Sequence, residues 1–186
     1  MDKKRIIMLS TGGTIASKRN PETGLLTAGV MSGEELSEMC DLPSYIDVDV
    51  ISVFQIPSNH MTFGHLITLK EKIEEVFESP DIDGVVVTHG TDTLEETAYF
   101  LDLVIADERP VVITGSQRGP QVNGTDAFVN LRQSILLAAY PECRGLGTVA
   151  LFNERIFTGR YIKKKHASNV DGFTSFGFGY LGIVDQ

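Results

Sequence analysis

Three short segments of this sequence gather small hydroxylic residues around glycine, in a pattern suited to turns that present side chains to a ligand. In Thr11-Gly12-Gly13-Thr14-Ile15-Ala16 a glycine pair lets the backbone turn tightly and approach a bound molecule between two hydroxyls. Thr88-His89-Gly90-Thr91-Asp92-Thr93 adds a carboxylate to three further threonines, and Thr114-Gly115-Ser116-Gln117-Arg118 adds a hydroxyl and an amide. Ser58 and Asn59 are additional candidates. Such a pocket suits a small zwitterion, because backbone amides and helix amino-termini favour its carboxylate while Asp92 can hold its ammonium. A phosphate loop does not fit: GxxxxGK[ST] and GxGxxG are both broken, with Ser17 before Lys18 and no third glycine. Nor does a metal site, since His60, His65, His89 and His166 form no HExxH or equivalent ligand pair.

Each segment also has a plainer explanation. Asp92 followed by Glu95 is a capping box in outline, so both carboxylates can serve only to satisfy free amides at a helix start. The Thr11 loop can be an ordinary turn, and Lys163-Lys164-Lys165 can be a solvated face.

The elements that must position these residues are legible from periodicity. Arg5 to Ser10, Val48 to Phe54, Gly84 to Thr88, Pro110 to Thr114 and Gly147 to Asn153 are short apolar, β-branched runs closed by polar or glycine-rich residues, and read as buried strands. Between them Phe63, Leu66, Ile67, Lys70, Ile73 and Phe77 share one helical face, and Leu94 to Ile105 and Ala127 to Ala139 repeat that period. Strands apolar throughout, alternating with helices, predict a doubly wound α/β fold: a mostly parallel sheet with helices on both faces. In such sheets ligands collect beyond the carboxyl ends of the strands, where the hydroxylic loops fall. Arg155 to Phe178 is less regular, and no linker, repeat or second domain is visible.

Composition narrows the partners. A net charge of −9 over 186 residues opposes binding to nucleic acid or to an anionic membrane. The apolar run at the start is too short for a signal peptide core and no membrane span follows, so the cytoplasm is the expected compartment. Cys40 and Cys143, without metal spacing, read as free thiols.

Together, Thr11 to Ala16 (TGGTIA) and Thr88 to Thr93 (THGTDT) resemble the two signatures of bacterial-type L-asparaginases and glutaminase-asparaginases, in the family's order and spacing. Glu95 to Leu101 continues the second, and Ile113 to Arg118 (ITGSQR) looks like the family's next strand end. The resemblance runs over essentially the whole chain and implies the Rossmann-like amino-terminal domain, residues 1–186. By it, Thr14 matches the nucleophile, Thr91 the second catalytic threonine, Asp92 the acid that also grips the substrate ammonium, and Lys164, five residues beyond Gly159, the catalytic lysine. Ser58, Asn59 and Ser116 match positions that contact substrate. The implied reaction is hydrolysis of L-asparagine through a threonine acyl-enzyme, with L-glutamine as a further substrate, no cofactor, and a homo-oligomer, dimer or tetramer.

Two departures accompany it. The family's loop tyrosine is missing, Gly24-Leu25-Leu26-Thr27 standing there, so that Thr27 or the two-threonine relay must take its work. The family's smaller carboxyl-terminal domain, which completes a neighbour's site, is not in this sequence, so the chain reads as one domain of a longer enzyme. Two other readings stay open: a non-catalytic amino-acid-binding or dimerisation module, and the ammonia-generating subunit of a transfer-RNA amidotransferase.

Overall fold

A computed structural model describes residues 3–12, 15, 17–19, 26–28 and 33–185. Its centre is a seven-stranded sheet. Five strands are mutually parallel: β1 (Lys4–Ser10), β4 (Ile46–Ser52), β5 (Gly84–Thr88), β6 (Val111–Thr114) and β7 (Thr148–Phe152). Two more, β8 (Arg155–Thr158) and β11 (Gly182–Ile183), join antiparallel, giving the order β11-β8-β7-β6-β5-β1-β4. Two ribbons stand apart from it, β2 (Ser17–Arg19) with β3 (Leu26–Ala28) and β9 (Ile162–Lys164) with β10 (Phe173–Ser175).

The pleat sends alternate residues of each strand to opposite faces. Ile6, Met8, Val86, Val112, Val149 and Leu151 pack against α4 (Ala127–Ala139) through Ala127, Leu131, Ile135 and Ala138. Ile7, Leu9, Val85, Val87, Ile113 and Ala150 pack on the other face against α2 (Phe63–Phe77) and α3 (Leu94–Val104), through Leu69, Ile73, Leu94, Ala98 and Leu101. α1 (Gly33–Met39) leads into Cys40 and Asp41, whose carbonyls accept from Arg132 of α4, on the first face. With both faces covered, β5, β6 and β7 are buried along their whole length, which explains their unbroken apolar runs. The doubly wound α/β expectation therefore holds.

Connections β5–α3–β6 and β6–α4–β7 each advance one strand in the same direction, yet α3 and α4 lie on opposite faces. The two crossovers are therefore of opposite hand, against the strong preference for right-handed units.

Three expectations are corrected. β4 alternates buried and exposed residues instead of being apolar throughout, because it is the edge strand: Asp47 and Asp49 face solvent and pair with Lys3 and Arg5. On α2 the buried face is Leu69, Ile73 and Phe77, while Phe63 and Ile67 are exposed, with Phe63 set edge-on to Phe100 of α3. Residues 155–178 contain three strands of three or four residues, too short to show a period in sequence. Cys40 and Cys143 are free, as expected, and burial pushes the Cys40 thiol up to about 11.

Arg109 closes the end of the sheet opposite the hydroxylic loops. Its guanidinium donates to the carbonyls of Phe77, Ser79 and Ile82 and pairs with Asp107 at 2.8 Å. The bond to Asp107 holds that carboxyl below its ordinary range. Arg109→Ala orphans these carbonyls and should destabilise the fold by about 2–4 kcal/mol, measured by denaturant unfolding; a loss under about 0.5 kcal/mol would show that water replaces the guanidinium.

Candidate functional site

The loops at the carboxyl ends of β1, β5 and β6 are brought side by side by strand register, Ser10 pairing with Thr88 and Thr88 with Thr114. Two glycines permit close approach here, Gly12 of the β1 loop to the segment after β4 and Gly115 of the β6 loop to the β5 loop. Gly12 has φ +117°, and a Cβ there would lie 2.3 Å from the Ile56 carbonyl oxygen. At Gly115 a Cβ would lie 2.4 Å from the His89 oxygen. Thr11 does not face a ligand: it is buried, and its amide and hydroxyl both donate to the Thr88 carbonyl, at 3.1 and 3.0 Å, spending the side chain on joining two loops.

Beyond β5 the chain turns through Thr91 and Asp92 into α3. Lys164, arriving on β9, donates from Nζ to Thr91 Oγ1 at 2.8 Å and to Asp92 Oδ1 at 2.9 Å. The lysine side chain is 16% exposed and the aspartate 67%, so the pair opens to solvent on the carboxylate side. Ser58, buried in a short 3-10 turn (Ser58–His60), accepts from the Asp92 amide through Oγ at 3.2 Å, and its carbonyl accepts from Thr93 Oγ1 at 2.7 Å. Thus Thr91, Asp92, Lys164 and Ser58 form one cluster.

The other expected residues join it less directly. Asn59 follows Ser58 with its side chain exposed. Ser116 sits beyond β6 with its hydroxyl oxygen buried and unpartnered among the described residues. Thr14, and with it the side chain of Thr27, lies outside the described residues.

The capping-box reading of Asp92 and Glu95 is overturned. The residue before α3 is Thr93, and no side-chain bond caps the helix. Both carboxylates go instead to the lysines: Glu95 accepts from the Lys164 amide at 2.6 Å and from Lys163 Nζ at 2.7 Å. Bonds to a cation outweigh a neutral cap. Lys163 to Lys165 is accordingly not a merely solvated face, since all three lysines are paired.

Sequence reasoning did not single out His89 from the other histidines as the one that supports the site. It is 1% exposed; Nδ1 lies 2.7 Å from the Gly90 carbonyl and Nε2 3.0 Å from Thr97 Oγ1. Burial pushes its pKa down to about 4, so it is neutral near pH 7, with Nδ1 donating to the carbonyl and Nε2 accepting from the hydroxyl. It braces the turn that carries Thr91. The available signal was His89 and Thr97 flanking the turn, which only the helix register places together.

Among the described residues no group of three His, Cys, Asp or Glu is placed to hold a metal ion, and no helix is long and apolar enough to cross a membrane. A cavity of about 950 Å³ lies away from the cluster, walled by acidic side chains including Glu38, Asp41 and Asp47, a poor host for a carboxylate ligand.

The family model for the amino-terminal domain of asparaginases matches residues 5–186. This chain belongs to the asparaginase family. Over 183 residues it is 60% identical to an L-asparaginase of Bacillus licheniformis, covering 98% of this chain and 56% of that protein. It is 37% identical to a glutaminase-asparaginase of Pseudomonas aeruginosa, covering 96% of this chain and 50% of that one. The solved structure of a probable cytoplasmic L-asparaginase from Campylobacter jejuni superposes with a TM-score of 0.85 at 37% identity, over 98% of this chain and 56% of that chain. This asparaginase-family chain thus spans about half the length of the curated relatives it matches.

Proposed function

We propose that this chain supplies catalytic residues of an amidohydrolase that converts L-asparagine to L-aspartate and ammonia, with L-glutamine as a further substrate. The observation that carries the reading is the Lys164 amine shared between the Thr91 hydroxyl and the Asp92 carboxylate, in a chain of the asparaginase family. A threonine hydroxyl is a weak nucleophile until its proton is drawn off as it attacks. In this scheme the Thr14 hydroxyl attacks the side-chain amide carbon, and Thr91, Lys164 and Asp92 form the relay that tunes the proton transfers. Ammonia leaves as the C–N bond breaks, and water cleaves the resulting ester to release aspartate and restore Thr14. Asp92 also holds the substrate ammonium, while Ser58, Asn59 and Ser116 orient the rest of the amino acid.

The proposal extends to a homo-oligomer working in the cytoplasm, in which this chain is one domain of a longer enzyme and a neighbouring subunit completes the site. The test is ammonia release from L-asparagine by the protein as it is made in the cell, beside Thr14→Ala and Asp92→Ala. The unmodified protein should release ammonia, Thr14→Ala should fall to background, and Asp92→Ala should raise KM and lower kcat. An active Thr14→Ala protein would sink the assignment, and asparagine binding without turnover would turn the reading to a binding module.

A further inference from the structure

The ribbon that delivers Lys164 is not part of the main sheet. β9 has three residues and, among the described residues, its strand partner is β10, which like it lies outside the seven-stranded sheet. A lysine amine on a four-carbon stem reaches a defined point only when its backbone origin is defined. Buried Ile162 and Phe173 seat the ribbon on the core, and at Lys164 itself the backbone is held by Glu95. Its carboxylate accepts from the Lys164 amide at 2.6 Å and from Lys163 Nζ at 2.7 Å, and its side chain is 17% exposed. Glu95 lies in the first turn of α3 (Leu94–Val104), just beyond the turn that holds Thr91 and Asp92, so the segment that carries the two targets of the Lys164 amine also grips the backbone behind that amine.

We infer that Glu95 is a positioning residue for the proposed reaction: by clamping the backbone of Lys164 it sets the lysine amine on Thr91 and Asp92. The inference rests on the functional reading above. The clamp acts through Lys164 and not on the substrate. Lys163 contributes a second grip on the same carboxylate from an exposed position, and the neighbouring Glu96 is exposed and serves as a control.

The experiment is steady-state ammonia release from L-asparagine by the protein as it is made in the cell, with each variant's melting temperature recorded. Glu95→Ala should lower kcat by about 10–100-fold with KM changed less than about 3-fold, as misplacing a reacting group by an ångström does. Glu95→Gln should recover most of the rate, because its amide oxygen still accepts from the Lys164 amide, and Glu96→Ala should stay within about 3-fold of the parent. Glu95→Asp keeps the charge and draws the acceptor back by one methylene, so if the alanine protein does not fold, a kcat loss of about 10-fold in the aspartate protein carries the test. A Glu95→Asp or Glu95→Ala protein with the parent's kcat, or a Glu95→Gln protein no better than alanine, overturns the clamp. Lys164→Met separates the two levels. If it is inactive while Glu95→Ala is not, the clamp alone fails; if it is fully active, the relay fails and takes the clamp with it.

Discussion

Replacing Lys164 with methionine is expected to lower kcat for ammonia release from L-asparagine by about 10²–10⁴-fold, the usual worth of a positioned proton-transfer group. Methionine keeps most of the aliphatic stem and removes the amine, so the variant deletes the two bonds to Thr91 and Asp92 without opening a hole. Thr91→Val, which keeps the shape and removes the hydroxyl, should fall by a similar factor. The informative comparison is the double variant. Residues that act as one unit lose their function once, so Thr91→Val with Lys164→Met should be no slower than the worse single variant. Multiplied losses would show that the two groups work independently, and circular dichroism would confirm that the sheet persists throughout.

His89 carries the second large effect, on stability against pH. Burial is the chief cause of its lowered pKa, about 4 against an ordinary 6.5, with the Gly90 carbonyl pulling weakly the other way. Below about pH 6.5 the unfolded chain therefore takes up a proton that the folded chain refuses, and stability falls as pH drops from 6.5 to 4 before levelling off. Above pH 6.5 the group contributes nothing to the pH dependence. At about 1.4 kcal/mol per pKa unit the full penalty is on the order of 3 kcal/mol. Denaturant unfolding at pH 7, 5.5 and 4.5 should show this slope in the parent and lose that share of it in His89→Gln. Parallel slopes in the two proteins would mean that the imidazole charges without resistance in the fold.

The parallel half of the fold was legible because burial on both faces leaves a direct imprint on composition. Gly84 to Thr88 and Ala127 to Ala139 were read to the residue. What escaped lacks that imprint. Strand β8 and the β9–β10 ribbon are three or four residues long, and β4 shows alternation because one of its faces is open to solvent. At the candidate site, residue types marked the loops but not their wiring. Thr11 and Thr91 are alike in sequence, yet one hydroxyl is consumed by the Thr88 carbonyl and the other meets Lys164. Asp92 and Glu95 have the spacing of a capping box, and only the arrival of lysines from about seventy residues away redirects both carboxylates. Partners so distant leave no periodicity to read.

Because the lysine rides on a ribbon outside the main sheet, its place in the cluster depends on how that ribbon is seated on the core. The ribbon is seated by Ile162 and by Phe173, which stacks on Phe152 at 4.1 Å, two side chains worth roughly 1.5–3 kcal/mol each, together with the Glu95 clamp and the Gln117 bond to the His166 carbonyl. A substitution at Phe173 that loosens this seat would therefore act on the rate through the placement of Lys164, without touching Thr91 or Asp92 themselves.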